Sequence, residues 1–244
     1  MEKGVIPTPF CQLFQVHGSI FKPHPACDPG QTSMMRVTHA ERLLSAGNAD
    51  EGIRMLEQAK ADKESRYYAE CACKRLIELY EARNDRGKLI AELRTMLTTF
   101  RQDDMNYAGQ LKALMSEQEW IVMRQELLQS SLFAPKNELL FTEGLFRRLL
   151  DRIIQSESVS AMDRYSPFLR ADYPTEVLRF YVQYLIKAAQ QASNRKMYYN
   201  LMTYLRKLSE YPGGKEQAEK MATEWKLTYI RRTAMMDELK KAGF

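Results

Sequence analysis

The chain has 244 residues, of which 45% are hydrophobic and 27% charged, and its formal net charge is +5. This balance is typical of a folded globular protein and argues against an intrinsically disordered chain. No apolar run approaches the roughly 18 residues that a membrane span needs. We expect no secretory signal, because Met1–Pro7 lacks the required charged-then-apolar order. Four cysteines are too few for a disulfide framework, so a reducing, cytoplasmic location is expected.

Residues 1–33 differ from the rest of the chain and predict an irregular, proline-rich lead. They contain five of the nine prolines, two of the three histidines and two of the four cysteines. Cys11, His17, His24 and Cys27 could surround a zinc ion, but only the His24-to-Cys27 step has the close spacing of structural zinc ligands. A chance accumulation of Cys and His is the stronger interpretation. We therefore predict no metal site and no bound cofactor.

Residues 34–134 alternate between short amphipathic helices and tight turns. Apolar residues recur at three- and four-residue steps, as on one face of a helix. The predicted helices are 34–46, one beginning near Asp50, 67–82, 88–100, 107–115 and 119–129. Ala46 and Asn48 recur as Ala82 and Asn84, an offset of 36 residues. A period near 34–40 residues indicates tetratricopeptide-like helical hairpins that stack to bury their apolar faces, although the full consensus is missing.

Residues 135–244 contain longer helices. One helix, apolar around most of its circumference, is expected to run from Asn137 to Gln155. The others are a short element at 165–169 and helices at 175–192, 195–210 and 215–229. The sequence as a whole predicts an all-α protein of about ten to twelve helices. We expect a right-handed solenoid of helical hairpins that becomes more bundle-like toward its C-terminal end.

All the excess positive charge lies in the last fifth of the chain. Residues 195–244 contain eleven Lys or Arg and six Asp or Glu. Cations interleaved with aromatic residues can bind phosphates while bases stack on the rings. The residues of this candidate surface for nucleic acid or an acidic partner are Arg195, Lys196, Arg206, Lys207, Arg231 and Arg232. Arg231 and Arg232 are both expected to be exposed, so that their replacement would leave stability unchanged.

More ordinary interpretations compete with this surface. A modest charge excess spread over several helices is more often a solvated face. Trp225 and Tyr229 are four residues apart, which is the spacing of a helix face packed on the core. Trp225 is therefore predicted to be buried rather than to stack on bases.

No catalytic set emerges from the sequence. His39 is the only histidine after residue 33, and the acidic residues are scattered at helical spacing from Lys and Arg. Gly213-Gly214 is followed by Lys215, but the first glycine and the Ser or Thr of a phosphate-binding loop are missing. We predict a protein that is not an enzyme and has no small-molecule substrate.

The last eighty residues resemble a known family. The resemblance rests on Tyr165, Phe168-Leu169, Tyr173-Pro174, Asn194-Arg195-Lys196, Tyr211-Pro212-Gly213-Gly214, Arg231-Arg232 and Asp237-Glu238-Leu239. This pattern is similar to the C-terminal helical region of bacterial SWIM zinc-finger proteins. The resemblance implies a helical tail attached to an N-terminal zinc module in DNA-associated machinery. That module needs Cys-x-Cys followed by Cys-x-His, and no cysteine follows Cys71-Ala72-Cys73, so its zinc site cannot be assigned here.

The resulting functional prediction is a non-enzymatic scaffold or interaction domain that binds a protein partner. It would be the helical part of a SWIM-type protein. The alternative is a nucleic-acid-associated accessory domain that uses the basic C-terminal end. A third hypothesis is an enzyme or metalloprotein built on the Cys and His residues of the lead.

Overall fold

The computed structural model of the chain describes residues 32–100, 105–131 and 133–244. The candidate zinc ligands Cys11, His17, His24 and Cys27 lie outside these residues. The described part of the chain contains thirteen α-helices and no strand, which confirms the all-α prediction. Contacts between helices divide it into two compact units, one ending at Met96 and the other beginning at Leu97. The boundary predicted between residues 134 and 135 stays a prediction.

The described residues of the first unit form three helices and most of a fourth. They are α1 (Ser33–Ser45), α2 (Ala49–Ala61), α3 (Arg66–Ala82) and α4 (Arg86–Thr99). α1 packs against α2, and α3 packs against both. Leu56, Ala72 and Leu76 are completely buried among these helices. This packing, in which a third helix covers an antiparallel pair, is the kind found in helical solenoids and bundles.

The described residues of the second unit form nine further helices. They are α5 (Met105–Leu114), α6 (Glu117–Gln129), α7 (Lys136–Thr142), α8 (Phe146–Ser156), α9 (Val159–Leu169), α10 (Pro174–Gln191), α11 (Arg195–Leu208), α12 (Gly214–Thr228) and α13 (Thr233–Ala242). From α7 to α12 each helix packs on the next, and α13 packs back on α11. A continuous hydrophobic core runs through α7–α13.

One tight turn recurs between α1 and α2, between α3 and α4, and between α7 and α8. Its middle residue has a positive φ: 83° at Gly47, 55° at Asn84 and 66° at Gly144. Glycine and asparagine adopt this left-handed conformation at least cost. The following amide donates to the carbonyl five residues earlier, as from Asn48 to Leu43 at 2.9 Å. This bond closes the end of the helix. Gly47 and Asn84 occupy the same position in this turn and lie 37 residues apart, and the tetratricopeptide-like repeat stays a prediction.

The single helix predicted from Asn137 to Gln155 is wrong. α7 ends at Thr142 and α8 begins at Phe146, because Gly144 takes the left-handed conformation between them. The Leu145 amide then donates to the Leu140 carbonyl at 2.9 Å. Apolar residues lie directly before and after this turn, at residues 139–141 and 145–146, which is why periodicity did not reveal the break. This break and α13, which the sequence analysis did not place, bring the described total to thirteen, above the predicted ten to twelve.

Other helix boundaries agree with the sequence to within a few residues. The main exception is the short element predicted at 165–169, since α9 begins at Val159. Its start is fixed by Ser158, whose hydroxyl accepts a hydrogen bond from the Ala161 amide at 3.3 Å. This is an N-cap that satisfies one of the free amides of the first turn.

α12 packs on the core through the face that the sequence predicted. Trp225 is 5% exposed and lies in the core with Ala218, Met221 and Ala222. The prediction that Trp225 is buried is therefore confirmed. Tyr198 and Tyr211 are also buried, so three of the aromatic residues near the C-terminal cations are core residues.

The turn before α12 requires glycine twice. Gly213 has a φ of 73°, and Gly214 is buried against the end of α11. A Cβ at Gly214 would lie 1.7 Å from the Leu208 carbonyl oxygen, which is far inside contact distance. No side chain fits there unless the backbone moves.

Gly214→Ala should therefore lower the free energy of unfolding by at least about 2 kcal/mol. The matched control is Gly109→Ala in α5, where a Cβ would meet nothing within 4 Å. Alanine favours a helix over glycine by about 1 kcal/mol, so the control should be neutral or stabilising. Urea denaturation followed by circular dichroism measures both. Equal stability of the two variants would contradict the close approach at Gly214.

Trp225→Ala should lower the free energy of unfolding by about 3–5 kcal/mol, because a large buried side chain leaves a cavity. Leu227→Ala, on the same helix, is the control. Leu227 is 76% exposed, so its truncation should change stability by no more than about 0.5 kcal/mol. Thermal and urea unfolding of both variants would show this difference, and a small effect at Trp225 would refute its place in the core.

Candidate functional site

The six cations of the predicted C-terminal surface all lie in the described part of the second unit. The structure does not join them into one basic patch. Four of them make contacts within the protein, and the contacts of each show what it contributes.

Arg195 joins the first turn of α11 to α13. Its guanidinium lies 3.1 Å from a carboxylate oxygen of Glu238 and 3.1 Å from one of Asp237. The Glu238 side chain is only 8% exposed, and it is also contacted by Lys241 at 2.9 Å. Arg195 therefore neutralises a buried carboxylate, and its charge is largely compensated within the unit.

Arg206 binds the C-terminal end of α13. Its guanidinium donates to the carbonyl of Lys241 at 3.2 Å and to that of Ala242 at 3.4 Å. The last carbonyls of a helix have no partner within the helix, and a cation there also interacts favourably with the helix dipole. Arg206 thus closes the C-terminal end of α13.

Lys207 belongs to a polar cluster around Asp163 of α9, which we call the Asp163 cluster. One carboxylate oxygen of Asp163 accepts from Lys207 at 2.6 Å and from the Tyr181 hydroxyl at 2.8 Å. The other accepts from the Tyr204 hydroxyl at 2.6 Å. The Lys207 ammonium also lies 4.6 Å from the centre of the Tyr181 ring, within cation–π range. The cluster fastens α9 to α10 and α11.

The electrostatics of the Asp163 cluster are those of a satisfied structural group. Burial alone would raise the pKa of Asp163, but the hydrogen bonds from Lys207, Tyr204 and Tyr181 outweigh it and lower the pKa below its ordinary value. Burial raises the pKa of Tyr181, and the Asp163 carboxylate raises it further. An ionised acid therefore faces protonated phenols over the neutral pH range, and each of these groups already has its hydrogen-bond partner.

Arg232 closes the C-terminal end of α10. One guanidinium nitrogen donates to the carbonyls of Ala189 at 2.8 Å and Ala192 at 3.0 Å. The guanidinium also lies 4.3 Å from the centre of the Tyr229 ring. The expectation that Arg232 is an exposed charge without a structural role is wrong, because its partners lie about forty residues earlier in the chain.

Lys196 and Arg231 are the two predicted cations that have no hydrogen bond or ion pair from their side chains to a residue that the structure describes. Both are exposed. Binding of nucleic acid or an acidic partner at these positions stays a prediction. The structure reduces the set of uncompensated cations on which such binding could depend.

The connection between α12 and α13 carries a surface that the sequence analysis missed. We call residues 226–231 the α12–α13 tip. Leu227 is 76% exposed and Ile230 68% exposed, and both lie between the exposed cations Lys226 and Arg231. The sequence holds one signal for this surface, since Leu227 lies about 200° around the helix from the buried Trp225. Two large apolar side chains are thus presented to solvent beside positive charge.

The backbone of the α12–α13 tip is held in place. The Tyr229 amide donates to the Trp225 carbonyl at 2.8 Å, and the Arg232 amide donates to the Tyr229 carbonyl at 2.8 Å. The side chain of Arg232 then ties the segment to α10. The tip therefore presents Leu227 and Ile230 in a defined arrangement.

The described residues contain no group of three or more His, Cys, Asp or Glu side chains placed to hold a metal ion. None of the described helices combines the length and the apolar character that crossing a membrane requires. No protein-family model, curated protein or solved structure matches this chain.

Arg232→Gln should lower the free energy of unfolding by about 1–3 kcal/mol, because charge-assisted hydrogen bonds to the end of α10 are lost. Arg231→Gln is the matched control, with the same charge change at the neighbouring exposed residue. It should change stability by no more than about 0.5 kcal/mol. Urea unfolding compares the two variants, and an equal effect would show that the Arg232 contacts do not stabilise the protein.

Proposed function

We propose that this chain is a non-enzymatic helical scaffold that binds a protein partner, and that the α12–α13 tip contributes to the binding surface. The observation that carries the proposal is the exposure of Leu227 and Ile230 on a fixed backbone. Exposed large apolar side chains gathered in one segment are typical of protein interaction sites. A preformed tip also lowers the conformational entropy that binding has to overcome.

The charges around the tip define the kind of partner. Lys226 and Arg231 are exposed at either end of the apolar pair. A complementary partner would have an apolar pocket or groove bordered by Asp or Glu, because opposite charges at an interface rim guide association and orientation. These two cations are few for a polyanion such as nucleic acid. A polyanion would therefore bind this surface more weakly than the positive charge of the sequence indicates.

The resemblance to the helical region of SWIM zinc-finger proteins supports a scaffold. Several residues that carry it have structural roles here: Pro174 begins α10, Asn194 caps α11 and Gly214 allows the close approach to α11. We propose on this basis that the chain is the helical part of such a protein. The free, buried thiols of Cys71 and Cys73 also agree with a cytoplasmic protein.

The test is quantitative affinity capture with the purified chain, from an extract of the organism that encodes it. Leu227→Ser/Ile230→Ser is compared with the control Ile121→Ser/Val122→Ser, which removes two exposed apolar side chains from α6. We expect a partner that is retained by the wild type and the control and lost by the tip variant. Reconstitution from purified components should then show at least about tenfold weaker binding for the tip variant.

Capture of the same proteins by the tip variant would refute this surface. The nucleic-acid alternative has its own measurement, which is the fluorescence anisotropy of labelled single- and double-stranded DNA. Binding that is strong at about 50 mM salt and falls steeply by about 200 mM would favour that alternative. Loss of this binding in Lys196→Gln/Arg231→Gln would then assign it to the two exposed cations.

A further inference from the structure

A pocket of about 390 Å³ lies where α7, α8 and α9 meet in the second unit. Its volume is within the range of sites that hold small organic molecules. The polar side chains around it are Asn137, Glu138, Arg152, Ser160, Arg164 and Tyr165. Pro135 and Ala161 add apolar surface. Two guanidiniums from different helices therefore border one concave site that is separate from the α12–α13 tip.

Arg152 has no carboxylate partner among the residues that the structure describes. Its Nε donates instead to the neutral amide oxygen of Asn137 at 3.1 Å. Lys136 stands beside Asn137 in the chain, and its own pKa is lowered by burial and further by the positive charge of Arg152. Lys136 does not line the pocket, but it is close enough to Arg152 for their charges to interact, and Arg152 has no described counter-ion, which favours an incoming anion.

Arg164, on α9, is the second arginine that lines the pocket, and its charge is weakly compensated. Its guanidinium is 4.0 Å from the Glu138 carboxylate, the outer limit of an ion pair, and its side chain is 68% exposed. It also lies 5.5 Å from the centre of the Tyr165 ring, which orients it. With Glu138 counted, the two arginines still leave the lining of the pocket positively charged.

The donors present match a phosphate group better than a carboxylate. A phosphate monoester has three terminal oxygens and close to two negative charges, so it can accept from both guanidiniums and from the Ser160 hydroxyl. A carboxylate has two oxygens and one charge, which a single guanidinium satisfies. We propose that this pocket binds a small organic molecule through a phosphate group held between Arg152 and Arg164. This inference goes beyond the scaffold function and does not depend on it.

The test is isothermal titration calorimetry of the full chain with three probes: phenyl phosphate, inorganic phosphate and benzoate. We expect saturable one-to-one binding of phenyl phosphate, weaker binding of inorganic phosphate and no binding of benzoate. Arg152→Gln and Arg164→Gln should each weaken phenyl phosphate binding by about tenfold or more. Because Arg164 is mostly exposed, its variant should fold even if the Arg152 variant does not.

Arg148→Gln is the matched control. Arg148 also lies on α8, is exposed and donates to a neutral amide, that of Gln125 at 2.9 Å, but it does not line the pocket. This variant should bind phenyl phosphate as the wild type does. The proposal is overturned if phenyl phosphate shows no saturable binding, or if Arg148→Gln weakens it as much as Arg152→Gln. It is also overturned if benzoate or inorganic phosphate binds as tightly as phenyl phosphate.

Discussion

The tight left-handed turn is the constraint on which the rest of this structure depends. It reverses the chain within three residues, so the two helices that it joins lie side by side and antiparallel. Such a pair is too thin to bury the apolar faces of both helices, and a further helix has to cover them. In the first unit α3 covers α1 and α2 in this way. The sequence requirement is small, since each turn needs one glycine or asparagine at the position with a positive φ. These residues are Gly47, Asn84 and Gly144.

Buried or half-buried carboxylates determine which helices meet. Glu92 of α4 accepts from Lys60 of α2 and from the Cys73 thiol of α3. Glu143 accepts from Lys112, Trp120 and Arg124, at 2.7, 2.9 and 2.8 Å. Burial alone would raise the pKa of Glu143, but these three hydrogen bonds lower it. A buried charge is tolerated only when such partners are in place, so a different packing of the helices would leave it unsatisfied. These contacts also use cations that would otherwise contribute to a basic surface.

Sequence reasoning was most accurate where the interactions are local. Helical periodicity placed the first helix at 34–46, and the structure has Ser33–Ser45. It failed at Gly144, because apolar residues on both sides of a short turn continue the helical pattern across it. It also failed at Arg232, whose carbonyl partners are about forty residues away. The candidate site was predicted only in part for the same reason. The sequence identified the cations, but not the groups, distant in the chain, that compensate their charge. To predict that Leu227 is exposed, one has to know which face of α12 is covered by other helices.

The surroundings of Cys73 make its thiol a probe of local opening in the first unit. The thiol is completely buried, and burial and the neighbouring Glu92 carboxylate raise its pKa, so almost no reactive thiolate forms in the closed state. An alkylating reagent can reach it only when α3 and α4 separate. The rate of modification then measures the local opening free energy, as hydrogen exchange does for amides. No cysteine follows Cys73 in the sequence, so the rate of thiol modification reports on the first unit and contains no signal from the second.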